Sequence, residues 1–152
     1  MSTTAELKDF VYDILDLDSA DLPTALVYQY LKDGFQRVIN LERRWPFLET
    51  TYSLNTVASQ RDYAISTIGS GDMREIISVV DTSTSGNRLS LISLDEAENV
   101  WHGSFDTPSR PLFFSEWGET IKLYPKPDTV YALTIRGYRK PSYAPFVTTT
   151  LE

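Results

Sequence analysis

The chain has 152 residues, of which 41% are hydrophobic and 23% charged, and these are the proportions of a globular protein long enough to bury a core. The absence of cysteine excludes disulfides, thiol nucleophiles and thiolate metal sites, and the formal net charge of −7 argues against a main task of gripping nucleic-acid phosphates. The apolar runs are too short to span a bilayer and the N-terminus lacks the regions of a secretory signal, so we expect a soluble protein made inside a cell.

The first 47 residues carry the 3.6-residue period of amphipathic helices. Thr3 and Glu6 form a capping box, which predicts a first helix over residues 4–16. The linker after this helix is acidic, but it lacks the glycine and the distal glutamate of an EF-hand. We therefore interpret it as a solvated turn rather than a calcium-binding loop.

A second, longer helix is predicted from Pro23 to Arg44, with Asp21 as its cap. Pro46 ends it, because proline cannot continue a helix and pushes the preceding residue towards extended geometry. Gly34 lies in its middle at a cost of about 1 kcal/mol relative to alanine, so we expect close packing there against another helix or subunit. The apolar stripe, which we expect to be covered by protein, comprises Leu31, Phe35 and Val38 together with Val27, Tyr28 and Ile39.

After Phe47 the apolar period changes to two residues, which is typical of strands. Ser93 and Glu96 form a further capping box that opens a short helix over residues 94–101. The glycine-containing loop before residue 73 lacks the lysine of a phosphate-binding loop and is interpreted as a turn. Three hairpins and a last strand are predicted over residues 51–57 with 61–66, 73–82 with 88–93, 112–117 with 120–124, and 129–138.

This order of elements predicts an α+β protein. We expect an N-terminal helical hairpin with one long helix, then an antiparallel β-sandwich or open barrel with a short inserted helix, and an extended C-terminal arm. All three parts are predicted to form one domain, with a helical part over residues 1–47, a β part over 48–140 and the arm over 141–152.

The sequence offers little for catalysis. His102 is the one histidine, and no local motif supplies a nucleophile or an orienting carboxylate beside it. Glu116 and Glu119 flank a hairpin tip, where exposed carboxylates are more common than a glycosidase pair. We therefore expect no enzyme, and no catalytic, cofactor or metal site.

Several short motifs together resemble the head-to-tail adaptor (connector) proteins of tailed bacteriophages. They cover roughly residues 5–141 and follow the order helix, Trp-Pro, hairpins, Pro-x-Pro turn and a final strand. The motifs are Leu22-Pro23 with Arg43-Arg44-Trp45-Pro46-Phe47, Pro111-Leu112-Phe113-Phe114, Ile121-Lys122-Leu123-Tyr124-Pro125-Lys126-Pro127-Asp128 and Tyr138-Arg139-Lys140-Pro141.

The resemblance implies a virion protein of the head-tail neck, made in the host cytoplasm and without a membrane partner. It implies a ring of 12 copies that docks under the portal protein, receives a tail or nozzle protein and extends the channel through which double-stranded DNA passes without sequence-specific binding. Our interface candidates are Phe35 on the long helix, the basic residues Arg43, Arg44, Arg139 and Lys140, and Tyr143 and Phe146 as anchors of the arm. The alternative is a β-sandwich that holds a carbohydrate or peptide with Trp101, Trp117 and nearby tyrosines.

Overall fold

The computed structural model of the protein describes residues 4–83, 86–100 and 107–142. In these residues the fold is α+β, as predicted, with three helices and one curled seven-stranded sheet that is mostly antiparallel. The described chain divides into two compact units: a helical unit, which comprises the described residues up to Trp45 together with Pro141 and Ser142, and a β unit over Pro46–Lys140.

The helical unit contains α1 (Thr4–Leu15) and α2 (Thr24–Leu41), each close to its predicted position. α2 ends three residues before Arg44, because Glu42 already has extended backbone geometry with φ −138° and ψ 135°. The prediction that Asp21 caps α2 is wrong: Pro23 takes the N-cap position, and the cap makes no side-chain hydrogen bond. Instead Asp18 organises the linker as a turn, since its Oδ1 accepts hydrogen bonds from the amides of Ala20 at 2.6 Å and Asp21 at 3.1 Å.

The two helices contact each other through Tyr12. Its hydroxyl donates to the carbonyl oxygen of Leu22 at 2.8 Å and lies 3.1 Å from Oγ1 of Thr24. Of the predicted apolar stripe of α2, Val38 is exposed in the single chain, and its cover by another protein chain stays a prediction. Val27 and Ile39 of that stripe are buried, and Leu31 and Phe35 are half-buried.

Short 3-10 turns at Pro46–Leu48 and Ile65–Thr67 lie among the strands, and α3 (Leu94–Val100) is inserted after the fourth strand. Ser93 caps α3 as predicted, because its Oγ accepts the amide of Glu96 at 3.1 Å. The strands are β1 (Glu49–Asn55), β2 (Asp62–Ala64), β3 (Met73–Asp81), β4 (Asn87–Leu91), β5 (Phe113–Trp117), β6 (Thr120–Tyr124) and β7 (Ala132–Arg139).

The strand order is β1-β7-β3-β4-β5-β6-β2, so the sheet is single and open rather than a two-sheet sandwich. The predicted hairpins β3–β4 and β5–β6 are confirmed. The predicted hairpin of the first two strands is wrong, because β1 pairs with β7, β2 pairs with β6, and they form opposite edges. The loop between them is held by the β6–β7 connection instead: the Ser59 amide donates to the Pro127 carbonyl at 2.7 Å and the Thr56 amide to the Tyr131 carbonyl at 2.9 Å.

One pair of neighbours is parallel. β4 and β5 are aligned through Ser90 with Phe113 and Leu91 with Phe114, and the connection between them includes α3. An inserted helix makes this possible, because parallel neighbours need a long crossover where a hairpin needs only a tight turn.

The main core lies on one face of the curled sheet. The central strand β7 contributes Leu133 and Ile135, and its neighbour β3 contributes Val79. The other buried members of this cluster are Tyr52, Tyr63, Ile65, Ile68, Met73, Leu89, Phe114, Ile121 and Leu123.

Gly137 is required where β3 bulges against β7. The register shifts between Met73 and Glu75 and again between Ile76 and Ser78, which brings the β3 backbone over Gly137. A Cβ atom at position 137 would overlap the carbonyl oxygen of Glu75. Only glycine allows this approach, and the irregular stretch leaves Ile77 exposed.

Candidate interface surfaces

The end of β7 is fixed by the main chain rather than by charge. The amide of Lys140, one residue beyond β7, donates to the carbonyl oxygen of Asp72 at 2.5 Å. The Nζ of Lys140 is 3.7 Å from Oε1 of Glu119, but both side chains are exposed and such a pair contributes little to stability. The segment after residue 140 therefore leaves the β unit from an anchored point.

Asp72 is itself held by Tyr52 from β1. The hydroxyl of Tyr52 donates to Oδ1 of Asp72 at 3.0 Å. Burial, and then this hydrogen bond, raise the pKa of Tyr52 to about 12. Burial opposes ionisation of Asp72, but hydrogen bonds from Ser70 and Tyr52 and the charge of Arg139 outweigh it and lower its pKa. At neutral pH Tyr52 keeps its proton and Asp72 keeps its charge. The hydrogen bond between them therefore fixes Asp72 to β1 and does not transfer a proton.

The other basic candidates lie in the helical unit. Arg43 and Arg44 follow the end of α2 and are exposed, and the amide of Arg44 donates to Oε1 of Glu42 at 2.9 Å. Phe35, the apolar candidate on α2, is half-buried in the single chain. The two arm candidates, Tyr143 and Phe146, lie outside the described residues.

The helices carry two exposed apolar surfaces, and the second includes Gly34 and Val38, where the sequence predicts contact with protein. On α1, a surface that we call the α1 outer face consists of Leu7, Phe10 and Ile14, of which the last two are 60% and 65% exposed. On α2, a surface that we call the α2 stripe runs along one side of the helix, with its ends at Tyr30 and Leu41, 62% and 83% exposed. Between those ends the α2 stripe includes Gly34 and Val38.

The helical period contained the signal for both surfaces. Spacings of three and four residues join the members of each surface, so each forms one continuous line on its helix. The sequence alone could not separate these lines from the stripe that the subunit itself covers, because exposure depends on where each helix packs.

A buried ion pair that the sequence did not predict holds the end of β3. Asp81 is only 1% exposed, and its Oδ2 accepts from Nε of Arg110 at 2.8 Å and lies 2.7 Å from Nη2 of the same guanidinium. Its Oδ1 accepts from the amide of Ser83 at 2.9 Å and from the Ser83 hydroxyl. Burial opposes ionisation of Asp81, but these bonds outweigh it and lower its pKa. The pair ties β3 to the segment before β5 and has no reactive partner in these contacts.

The carboxylates considered for hydrolysis, Glu116 and Glu119, are both exposed, as expected. Glu116 on β5 is influenced by Glu75 of β3, and partial desolvation followed by the charge of Glu75 raises the pKa of Glu116. Glu119 lies in the β5–β6 turn beside Lys140. His102, like Trp101, lies outside the described residues.

Metal ligands do not converge in the part of the chain that the structure describes. Over residues 4–83, 86–100 and 107–142, no group of three or more histidine and carboxylate side chains is placed to hold a metal ion. Within the same ranges, no helix has the length and apolar character needed to cross a membrane.

The outer face of β1, β7 and β3 has a depression of about 350 Å³, a size at the lower end for small-ligand sites. Gly137 forms its floor, and its wall includes Ile77, Arg136 and Tyr138. Tyr138 is its single aromatic side chain, and Trp117, which the carbohydrate-binding alternative invoked, is not in its lining. Trp117 is exposed on β5 instead.

The model of the family described as SU10 adaptor protein matches residues 2–151, which spans both the helical and the β unit. No curated protein matches the chain.

Proposed function

Because the chain belongs to the SU10 adaptor protein family, a family of phage head-to-tail adaptors, we propose that it forms a ring that joins the portal of the phage head to the tail and extends the DNA channel. The family implies association with portal and tail proteins and a place in the virion neck. The ring, its 12 copies and its place around the DNA are our proposal.

The observation that carries this proposal is the extent of the family match, which includes both units of the chain. The exposed apolar residues of α1 and α2 support it, since apolar surface on a helix calls for a protein partner. The proposed role is structural, namely to connect the portal to the tail, and we propose that the protein has no enzymatic activity.

The net charge of −7 fits a channel component that DNA must pass without adhering. Proteins that grip DNA neutralise phosphates with lysine and arginine, and they lose affinity steeply as salt rises. A ring of acidic subunits would not bind the DNA phosphates in this way. We expect fluorescence anisotropy with a short DNA duplex to detect only weak, salt-sensitive binding without sequence preference.

The direct test is the mass of the protein in solution, alone and mixed with the portal protein of the same phage. Mass photometry followed by electron microscopy of the mixture should show a ring of adaptor subunits on one end of the portal. A chain that stays monomeric and does not bind the portal would contradict the proposal. Specific glycan or peptide binding by such a monomer would favour the alternative function.

A second test concerns the arm. We propose that residues 142–152 attach the subunit to the portal or to a neighbour, with Tyr143 and Phe146 as anchors and Arg139 and Lys140 at the edge of the contact. Deleting these residues leaves the hydrogen bond between the Lys140 amide and Asp72 in place. The truncated subunit should therefore melt within a few degrees of the full chain but bind the portal more weakly. Unchanged portal affinity would show that the arm has no such role, and unfolding would assign it to the subunit core.

A further inference from the structure

We propose that the α1 outer face of one subunit packs against the α2 stripe of the next copy, and that this contact repeats around the ring. The proposal rests on the proposed function for its ring and adds the surfaces that build it. Four features of the helical unit support it: the orientation of α1, the position of Gly34, the charges beside each surface and the difference between the two surfaces.

The α1 outer face points away from α2. Tyr12 and Lys8 lie on the side of α1 that meets α2, since the Tyr12 hydroxyl bonds to the start of α2 and Nζ of Lys8 lies 5.9 Å from the centroid of the Tyr12 ring. At 100° per residue, Leu7, Phe10 and Ile14 lie on the opposite side. No residue of α1 is buried in the subunit. A helix of 12 residues is marginal by itself, so this amphipathic helix needs a cover that α2 does not provide.

Gly34 gives the α2 stripe the shape to receive a helix. Nothing lies within 4 Å of the place where a Cβ atom would stand at this position, so the described part of the subunit does not require glycine. Alanine would fit there and would stabilise the helix, so glycine destabilises α2 and makes no compensating contact within the described part of the subunit. Between Tyr30 and Val38 its missing side chain leaves a gap on the stripe. A gap of this kind lets a neighbouring helix approach closely, and a bulky residue such as Phe10 fits it.

The α1 outer face has acidic neighbours, whereas the α2 stripe has one basic and one acidic neighbour, Arg37 and Asp33. Asp9 and Asp13 are exposed next to the α1 outer face, although Asp9 also pairs with Lys8 at 2.8 Å. Arg37 is exposed next to the α2 stripe. Charges at the rim of an interface add little affinity, but they favour the correct pairing and disfavour two acidic α1 surfaces meeting each other.

The two surfaces differ, and this selects the kind of assembly. A contact between unlike surfaces leaves one of each free on every pair, so further copies add, and they form a ring where the rotation between copies closes and an open filament where it does not. Two copies joined by a single shared surface would stop at a dimer. A second copy of this chain is therefore the occupant that the pair of surfaces fits.

The experiment blocks each surface separately in the full chain. Phe10→Glu places a charge on the α1 outer face, and Gly34→Gln fills the gap on the α2 stripe with a good helix former. Asn40→Gln, on an exposed part of α2 about 120° around the helix from Gly34, is the matched control. Mass photometry over a concentration series measures assembly, and thermal melting of the dissociated subunit measures folding.

Each blocking variant should need about tenfold or more protein to assemble, while Asn40→Gln should assemble as the unsubstituted chain does. Gly34→Gln should nevertheless melt at the same or a higher temperature, an effect that a purely structural role for Gly34 would not produce. A 1:1 mixture of the two variants should form dimers with one copy of each and nothing larger, because only one intact pair of surfaces remains.

Several results would overturn the inference. Normal assembly of either variant, no dimer in the mixture, or a large fall in the melting temperature of Phe10→Glu would show that these surfaces are not the contact, or that the chain itself covers them. Wild-type chain that binds the portal only as single subunits would reject the contact but keep a role at the portal. Wild-type chain that neither assembles nor binds the portal would reject the proposed function as well.

Discussion

Replacing Arg110 with methionine should destabilise the β unit by about 2 to 3 kcal/mol at pH 7. The substitution keeps an unbranched but shorter side chain and leaves the Asp81 carboxylate buried without its counter-charge. Removing one partner of a buried ion pair typically costs about 3 to 5 kcal/mol. The lower value applies because the Arg110 side chain is 30% exposed and Asp81 keeps its hydrogen bonds from Ser83.

The pH dependence tests the cause. In the native protein the pKa of Asp81 is lowered, so its stabilising effect is present above the ordinary aspartate pKa of about 3.9 and is lost as pH falls through the lower folded value. Without Arg110, its hydrogen bond and its charge no longer lower this pKa, so we expect the pKa of Asp81 to rise. A protonated Asp81 then no longer needs the cation, so the difference between the two proteins should shrink as pH falls from 7 to 4.

Urea unfolding of both proteins at pH 7 and pH 4 provides the measurement, with Arg88→Met, an exposed arginine on β4, as the control. A loss of about 2 to 3 kcal/mol corresponds to roughly 4 to 12 °C in melting temperature for a chain of this size. A loss below about 0.5 kcal/mol, within the range of ordinary surface substitutions, would refute the assignment of a stabilising buried pair. A larger loss that does not change with pH would refute the electrostatic explanation.

Gly137→Ala should lower the free energy of unfolding by about 2 to 4 kcal/mol or prevent folding, because the added Cβ overlaps the β3 backbone. Gly34→Ala should instead stabilise the dissociated subunit by up to about 1 kcal/mol. Equal shifts in melting temperature for the two variants would contradict both expectations. Tyr52→Phe removes one hydrogen bond to Asp72 and should cost about 1 kcal/mol at neutral pH. Because the pKa of Tyr52 is raised to about 12, this contribution should persist up to about pH 10 and decline as pH approaches 12, which unfolding at several alkaline pH values would show. His102→Ala should leave folding and assembly unchanged, and loss of a measurable hydrolytic activity in this variant would instead point to an enzyme.

The sequence by itself was sufficient for the elements whose signals are local. α1 and α2 follow the 3.6-residue period of apolar residues. The cap of α3 was predictable because it involves only Ser93 and Glu96, which are three positions apart. The β5–β6 hairpin follows from Gly118 and Glu119, which both take positive φ in its tight turn. The resemblance of short motifs to phage adaptors agrees with the family match over residues 2–151.

Tertiary structure decided what depends on residues far apart in the chain. The alternation of apolar and polar residues identified β1 as a strand. Its partner β7 lies about 80 residues away in the chain, and the same alternation is equally compatible with a local hairpin to β2. Asp81 and Arg110 carry no sequence signal of their pairing, since only the folded sheet brings them together. The surfaces at Phe10 and Gly34 likewise required the packing of α1 on α2, because a helical period states which residues share a side and not which side stays open to a partner.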